Sequence, residues 1–394
     1  MPSVDHEQPY VMTAREIAAG YLHGHVETAP APPGPTATIR DALEAVIRPS
    51  LLRPPCVVAF SGGRDSSLIL AIAAHVARRD GLPLPVPVTR RFTNVPATDE
   101  STWQEKVVRH VGVPDWVRAE IEPGELDVVG PLARPHLRRF GVLWPPMIHA
   151  DIPLLRHAQD GSLLDGEGGD EVLGTAAHRI APLAAVLRSP RPLRRSRARS
   201  ALLAVAPAQT RAGRTRRRWA GQPFPWMRPD AFQELVLDPL AEEEHIRPLS
   251  FSASVKRVPV RRTQVHMAAN RRLMAESYGV QVSSPLLDRS VVDAIAVRGG
   301  FLGRGSRADV LRDIASDLLP TTVIERTTKA VFNQAYFGHH TRELARVWPG
   351  TGVEPSLVDI DELRRVWLTD HPPPMTWALA QAAWIGARRH DHDR

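Results

Sequence analysis

The chain has a single cysteine, Cys56, in 394 residues. One thiol excludes an internal disulfide framework and a four-thiolate zinc site. No run of about 18 apolar residues occurs, so no membrane-spanning helix is expected. The opening stretch Met1–Thr13 carries acids and no apolar core of a secretory signal, which makes a cytoplasmic protein the simple expectation. Lysine is nearly absent too, at Lys106, Lys256 and Lys329 among 50 basic residues. Arginine is the default cation, so each retained lysine is a candidate for a role that needs a compact, flexible point charge. What remains is an ordinary globular composition, 43% hydrophobic and 24% charged, with a net charge of +7.

Proline density in Glu27–Thr38 forbids both helix and strand, so 1–38 reads as an N-terminal extension and linker. From Ile39 the apolar spacing predicts a helix ending near Pro49. Strands are predicted at "CVVAF" from Cys56, "VPVTRRF" (Val86–Phe92), "DWVRAEI" from Asp115, and "SLLD" from Ser162. Helices are predicted from Ser66 to the Asp80-Gly81 stop, from an Asp99 cap to Gly112, and around "MIHADIPLLRHAQDG". Strands alternating with such helices imply a doubly wound parallel sheet, an α/β fold. Right-handed crossovers bring the strand ends to one edge, where such folds bind ligands. The region 39–180 is then an α/β core, 181–225 an arginine-rich insert, and 226–394 a mainly helical substrate-side portion. The tract Leu187–Gly221 reads as a solvated insert or as a surface for an acidic peptide or nucleic acid.

Two glycine turns fall on the predicted ligand edge. In "VVAFSGGRDSSLIL" (Val57–Leu70) a strand becomes a helix within four residues. Gly62 and Gly63 let the backbone approach a ligand, and the helix N-terminus favours an anion such as phosphate. The hydroxyls of Ser61, Ser66 and Ser67 add donors. Asp65 would repel a bare phosphate, and makes sense if it holds Mg²⁺, which binds through one or two carboxylates plus substrate phosphates. No lysine follows the glycines, so this is not the G-x-x-x-x-G-K-[ST] loop. The second turn, "LLDGEGGDEVLG" (Leu163–Gly174), adds Asp165, Gly166, Glu167 and Asp170.

The first turn resembles the pyrophosphate-binding SGGxDS loop of the ATP-pyrophosphatase (adenine nucleotide alpha hydrolase-like) class. The second is similar to the SGEGxDE segment of the asparagine synthetase family. "PLLDRSVVDAIA" and "LLPTTVIERTTKAVF" follow in that family's order, and the resemblance runs from about Ile39 to Arg389. It implies an ATP-dependent ligase that adenylates a carboxylate, releases pyrophosphate, and forms an amide with a nitrogen nucleophile. It further implies that Ser61, Gly62, Gly63, Asp65, Ser66, Ser67, Asp165 and Gly166 meet the nucleotide. Asp65 and Asp170 would hold Mg²⁺, and Lys329 with Arg326 would meet the reacting phosphates. Glu167 would position or deprotonate the incoming amine.

The chain departs from the family in four places, one of them Asp165, which opens the second loop where serine is usual. Glutamine-dependent members begin with a cysteine nucleophile after the initiator methionine; here Pro2 stands there, and some 38 residues cannot hold a glutaminase. Nitrogen is therefore expected from ammonia, a separate glutaminase, or an amine of the substrate. In the family one residue separates the arginine from the lysine, whereas two separate Arg326 from Lys329. The acceptor region reads "GVQVSSPLLD", with Gln281 and Ser283 replacing a glutamate and an arginine. Together with "PWMRPDAF" and "MTWALAQAAWIGARR", these departures are similar to cyclases that close lasso-peptide macrolactams, and a peptide substrate or peptide-carrier protein becomes a candidate partner. A tRNA-modifying adenylating enzyme is the alternative from another class, although its sulfur-transfer versions generally need reactive cysteines. A non-catalytic binding relative is opposed by the presence of Asp65, Asp170 and Lys329. Nucleic acid and membrane are not expected as partners.

Overall fold

The computed structural model describes residues 8–27, 38–93, 100–189, 194–222, 224–327 and 333–392. Five parallel strands form one sheet: β1 (Cys56–Ala59), β2 (Val86–Phe92), β3 (Val117–Ile121), β4 (Ser162–Leu164) and β5 (Gln281–Ser283), in the order β3-β2-β1-β4-β5. The four predicted strands are all present. β5, within the segment read as an acceptor region, was not foreseen; three residues are too short for any alternation to show.

Burial on both faces accounts for the apolar runs. Successive side chains of a strand point to opposite faces, and β1 divides accordingly. Cys56 and Val58 enter one core, while Val57 enters another. β4 does the same with Leu164 and Leu163. The first core is roofed by helices Ile39–Leu51, Arg64–Asp80, Arg289–Gly299 and Arg307–Ala315. The second lies under Ile152–His157 and Arg262–Glu276. The sheet and both of its helical layers thus use chain well past residue 180. A separate tryptophan-rich core, with Trp226, Trp348, Trp367, Trp377 and Trp384, holds the C-terminal helices together. The doubly wound sheet with a largely helical C-terminal portion is as the sequence predicted.

Boundaries shift where local chemistry dictates. The first helix carries Pro49 within it and runs on to Leu51. The Ser66 helix begins at Arg64, with Gly63 as its N-cap. The helix ending at Gly112 starts at Ser101, and its expected cap, Asp99, lies outside the described residues. "MIHADIPLLRH" is a short 3-10 turn over Ile148–Asp151 followed by an α-helix, Ile152–His157. The arginine-rich tract forms helices Arg195–Val205 and Ala208–Ala220. No helix among the described residues is long and apolar enough to cross a membrane.

The strand order decides where a ligand can enter. From β1 the chain winds outward to β2 and β3, then returns to place β4 on the other side of β1. This reversal opens a crevice beyond the carboxyl ends of β1 and β4. The turns that follow those two strands are the two glycine turns.

Candidate active site

The first turn is organised by its own hydroxyls. Ser61 Oγ accepts from the Gly63 amide at 3.2 Å and lies 3.1 Å from Ser66 Oγ. The Ser66 hydroxyl also donates to the Gly63 carbonyl at 3.1 Å. Gly62 has φ +82°, and a Cβ there would come within 2.7 Å of Gln104. That position excludes other residues on both backbone and steric grounds. Gln104 donates to the Ser61 carbonyl at 3.1 Å, fixing the turn from the neighbouring helix. Ser67 is fully buried, and its hydroxyl has no hydrogen-bond partner among the described residues.

Arg326 supports the turn from below. Its guanidinium donates to the Gly62 carbonyl at 3.0 Å, pairs with the buried carboxylate of Glu100, and stacks 4.9 Å above the Trp103 ring. It is almost wholly buried, so it acts on the loop backbone from the protein side. Lys329 falls outside the described residues.

The second turn is pressed against the first. A Cβ on Gly169 would lie 2.2 Å from Asp65 Cγ, and one on Gly166 would lie 2.9 Å from the Ser66 amide nitrogen. Glycine is required there by close approach, and that approach makes one surface of the two turns. Arg307, on the helix Arg307–Ala315, pairs with both Asp65 and Asp170. Burial and nearby Arg64 lower the Arg307 pKa to about 10; it remains a cation at neutral pH, as two flanking carboxylates require.

The donor set suits a hard divalent cation. Two carboxylates converge on one positive group, and Asp65 Oδ1 is buried without a hydrogen-bond donor. Among the described residues there is no group of three or more potential metal-ligating side chains, so substrate phosphates would complete the shell. Asp65 and Asp170 are therefore the residues that could hold Mg²⁺.

Asp165 turns inward. Its carboxylate accepts from Arg271 at 2.6 Å, from the Ser284 hydroxyl at 2.9 Å and from the Glu167 amide at 2.9 Å. Arg271 also donates to Asp151 at 2.6 Å; its own desolvation works against the charge, but the fields of Asp151, Asp165 and Glu167 hold its pKa above the ordinary value. Asp165 thus shapes the turn and presents the Gly166–Glu167 backbone. Glu167 itself keeps accessible surface on the second turn, two residues after Asp165. Desolvation there, then the negative charge of Asp165, raises its carboxyl pKa, against the opposing pull of Arg271 and Arg90.

Alongside runs a cleft of roughly 500 Å³ counted out to its open mouth, lined by Phe60, Ser61, Val88, Arg90, Leu154 and Tyr336 among others. Its apolar walls come from the ends of β1 and β2. Arg90 donates to the Ala150 carbonyl at 2.9 Å. Buried Tyr336 has its phenol pKa raised by desolvation and by the fields of Asp151 and Glu167, while Arg90 works in the other direction.

Sequence reasoning missed Arg90, Glu100, Gln104, Arg271, Arg307 and Tyr336. None lies in a glycine turn. Only Glu100 and Arg307 carried a positional signal, a charged residue at the start of a helix; Arg90 lies inside β2 and Arg271 well inside the helix Arg262–Glu276. The expectation that Cys56 is inert is matched by its setting, since burial pushes the thiol up to about 11.

A search of curated proteins finds no match to the chain. A family model described as asparagine synthase, a family of ATP-dependent amide-forming ligases, matches residues 38–381. That span takes in every strand of the sheet, both glycine turns, the helices that carry Arg271 and Arg307, and Arg326 itself, so the chain belongs to the asparagine synthase family.

Proposed function

We propose that the protein adenylates a substrate carboxylate with ATP and then joins it to a nitrogen nucleophile, releasing pyrophosphate and AMP. One observation carries this reading. Asp65 and Asp170, from turns packed at the sheet's switch point, converge on a single cationic group, on the same two turns that carry Ser61, a wall of the cleft, and Glu167. The apolar cleft beyond β1 and β2 suits a purine, and the Ser61–Ser66 turn with the helix N-terminus behind it suits the phosphates. When bound at Asp65 and Asp170, Mg²⁺ supplies charge neutralisation of the triphosphate.

In the first step a carboxylate oxygen of the substrate attacks the α-phosphorus, and the bond to the bridging oxygen breaks toward pyrophosphate. The protein's part is to hold the phosphates against the loop amides and exclude alternative geometries. Arg326 keeps the Gly62 carbonyl and the loop in register, and Lys329 is the candidate for charge developing on the departing group. In the second step the nitrogen lone pair attacks the acyl carbon, and the carbon–oxygen bond to AMP breaks. Glu167, with its raised pKa, accepts the proton that the nitrogen sheds.

The acceptor is proposed to differ from aspartate. Ser283 and Gln281 sit in β5, and Arg271, which shares Asp165 with the next residue, Ser284, is taken up by Asp151 and Asp165. This favours, as a second reading, closure of a lactam within one substrate. The test is product analysis with MgATP, pools of amino acids, linear peptides and other carboxylates, with and without ammonia. Expected are AMP and pyrophosphate together with an amide on the acceptor, in which NH2 replaces a carboxyl OH when ammonia is the nucleophile, or one water is lost from the acceptor on lactam closure. ADP and phosphate would overturn the proposed cleavage. Dependence on ammonia would reject lactam closure.

A further inference from the structure

Eleven of the 50 basic residues and none of the 43 acidic ones fall within residues 187–221. The remaining chain has 39 basic against 43 acidic residues, a net charge of −4, so this tract alone makes the protein cationic. Its two helices are Arg195–Val205 and Ala208–Ala220. The first packs on helix Ala181–Leu187 and the second on helix Asp238–Ile246.

The packing uses few of the arginines. Arg211 is buried against Glu244, and Arg216 pairs with Asp238. Arg195, Arg197 and Arg199 on the first helix, and Arg214, Arg217 and Arg218 on the second, are exposed and form no ion pair among the described residues. Arg195 and Arg199 are one turn apart and share a face, as do Arg214, Arg217 and Arg218. Such crowding of like charge is unfavourable by itself and creates a positive field that attracts an anionic partner.

Apolar side chains stand among these charges. Leu202 is 68% exposed and lies on the Arg195–Arg199 face, with Val205 at 48% three residues further on. Leu187, on the helix packed against theirs, is 62% exposed. Aromatic rings on which nucleic-acid bases could stack are not on offer here, because Trp219 and Phe224 pack against the tryptophan-rich core. The chemistry is that of a surface for a chain carrying both carboxylates and apolar side chains.

The tract is also tethered to the candidate active site. Arg179, nine residues after Asp170, donates to the Ala204 carbonyl at 2.6 Å and the Arg247 carbonyl at 3.1 Å, pinning the first arginine helix. Arg188 donates to the Leu302 carbonyl, just ahead of Arg307.

We propose that helices Arg195–Val205 and Ala208–Ala220 form a docking surface for an acidic polypeptide segment with interspersed apolar residues. The surface goes beyond the ligase reading and does not rest on it. The test is fluorescence anisotropy with the full chain and three labelled probes: a peptide of Glu-Glu-Leu repeats, its Gln-Gln-Leu counterpart, and single-stranded poly(U) RNA of equal charge. The Glu-Glu-Leu peptide should bind at least about tenfold more tightly than the other two, a difference of about 1.4 kcal/mol, and should weaken as salt screens the surface. Reversing R195E, R199E, R214E, R217E and R218E together should cost at least as much, while ATP binding to that variant is unchanged. A second variant, L202D/V205D, should also weaken the peptide. Equal binding by the charge-reversed variant, equal binding of the glutamine peptide, or tighter binding of RNA would each overturn the proposal.

Discussion

Arg307 places one guanidinium between Asp65 and Asp170, carboxylates that belong to different glycine turns. The two turns approach so closely that Gly169 has no room for a Cβ beside Asp65. Two like charges on packed loops need a cation between them, and the chain provides one from a distant helix.

Arg307→Ala removes that cation. In the absence of divalent metal the variant should unfold a few degrees earlier, consistent with losing about 1–3 kcal/mol from a partly exposed charge cluster. Added Mg²⁺ should restore more stability to the variant than to the parent, because a ligand that binds only the folded state stabilises it. Thermal unfolding in EDTA and in Mg²⁺ measures both; identical metal responses of variant and parent would refute the bridging role.

Arg326→Ala breaks a pair whose partners are each less than a tenth exposed. Removing one side of such a buried pair costs about 3–5 kcal/mol. The double variant Arg326→Ala/Glu100→Ala should recover part of that loss. Urea unfolding of the three variants forms a double-mutant cycle, and strict additivity would show that the two side chains do not interact. The KM for ATP should rise in Arg326→Ala, since the Gly62 carbonyl loses its donor.

Glu167→Gln should lower kcat by about 10²–10⁴-fold, the usual worth of a positioned proton acceptor. In the parent, turnover should rise with pH through a pKa above the ordinary carboxylate value, because only the ionised acid accepts a proton. The linked stability runs the other way. A raised folded-state pKa favours folding by the protonated form; that contribution is complete below the ordinary glutamate pKa and lost as pH climbs through the raised one. Both slopes should disappear in the glutamine variant, and a pH profile that survives there would reassign the base.

Gly169→Ala should separate the two turns without disturbing either core. ATP affinity is expected to fall by about tenfold or more, equivalent to about 1.4 kcal/mol. Calorimetric titration with a non-hydrolysable ATP analogue reads this directly; unchanged affinity would mean that the close approach of the turns is not needed for nucleotide binding.

Cys56→Ala should leave turnover intact. The thiol sits in β1 with its pKa pushed up to about 11, so it is neither ionised nor accessible at neutral pH. Loss of activity without loss of fold would bring cysteine chemistry back into the mechanism.

The chemistry-bearing turns were legible because their signals are local. Ser61, Gly62, Gly63, Asp65 and Ser66 fall within six consecutive positions at a strand–helix junction, and Asp165–Asp170 repeat the pattern. β1 and β4 were legible because burial on both faces forces continuous apolar runs, whereas β3, at the sheet's edge, alternates half-buried and exposed residues. β5 left no such run, and its place was fixed by pairing with β4.

Sequence by itself determined the parallel α/β architecture, the two glycine turns and the inertness of the lone cysteine, since each depends on residues adjacent in the chain. Tertiary structure alone decided that Asp165 faces Arg271, that Arg326 braces the loop from beneath, and that Arg307 stands between two acids. Ion pairs and close contacts of that kind join residues about 100 to 260 positions apart, and their geometry follows only once sheet order and helix packing have placed them.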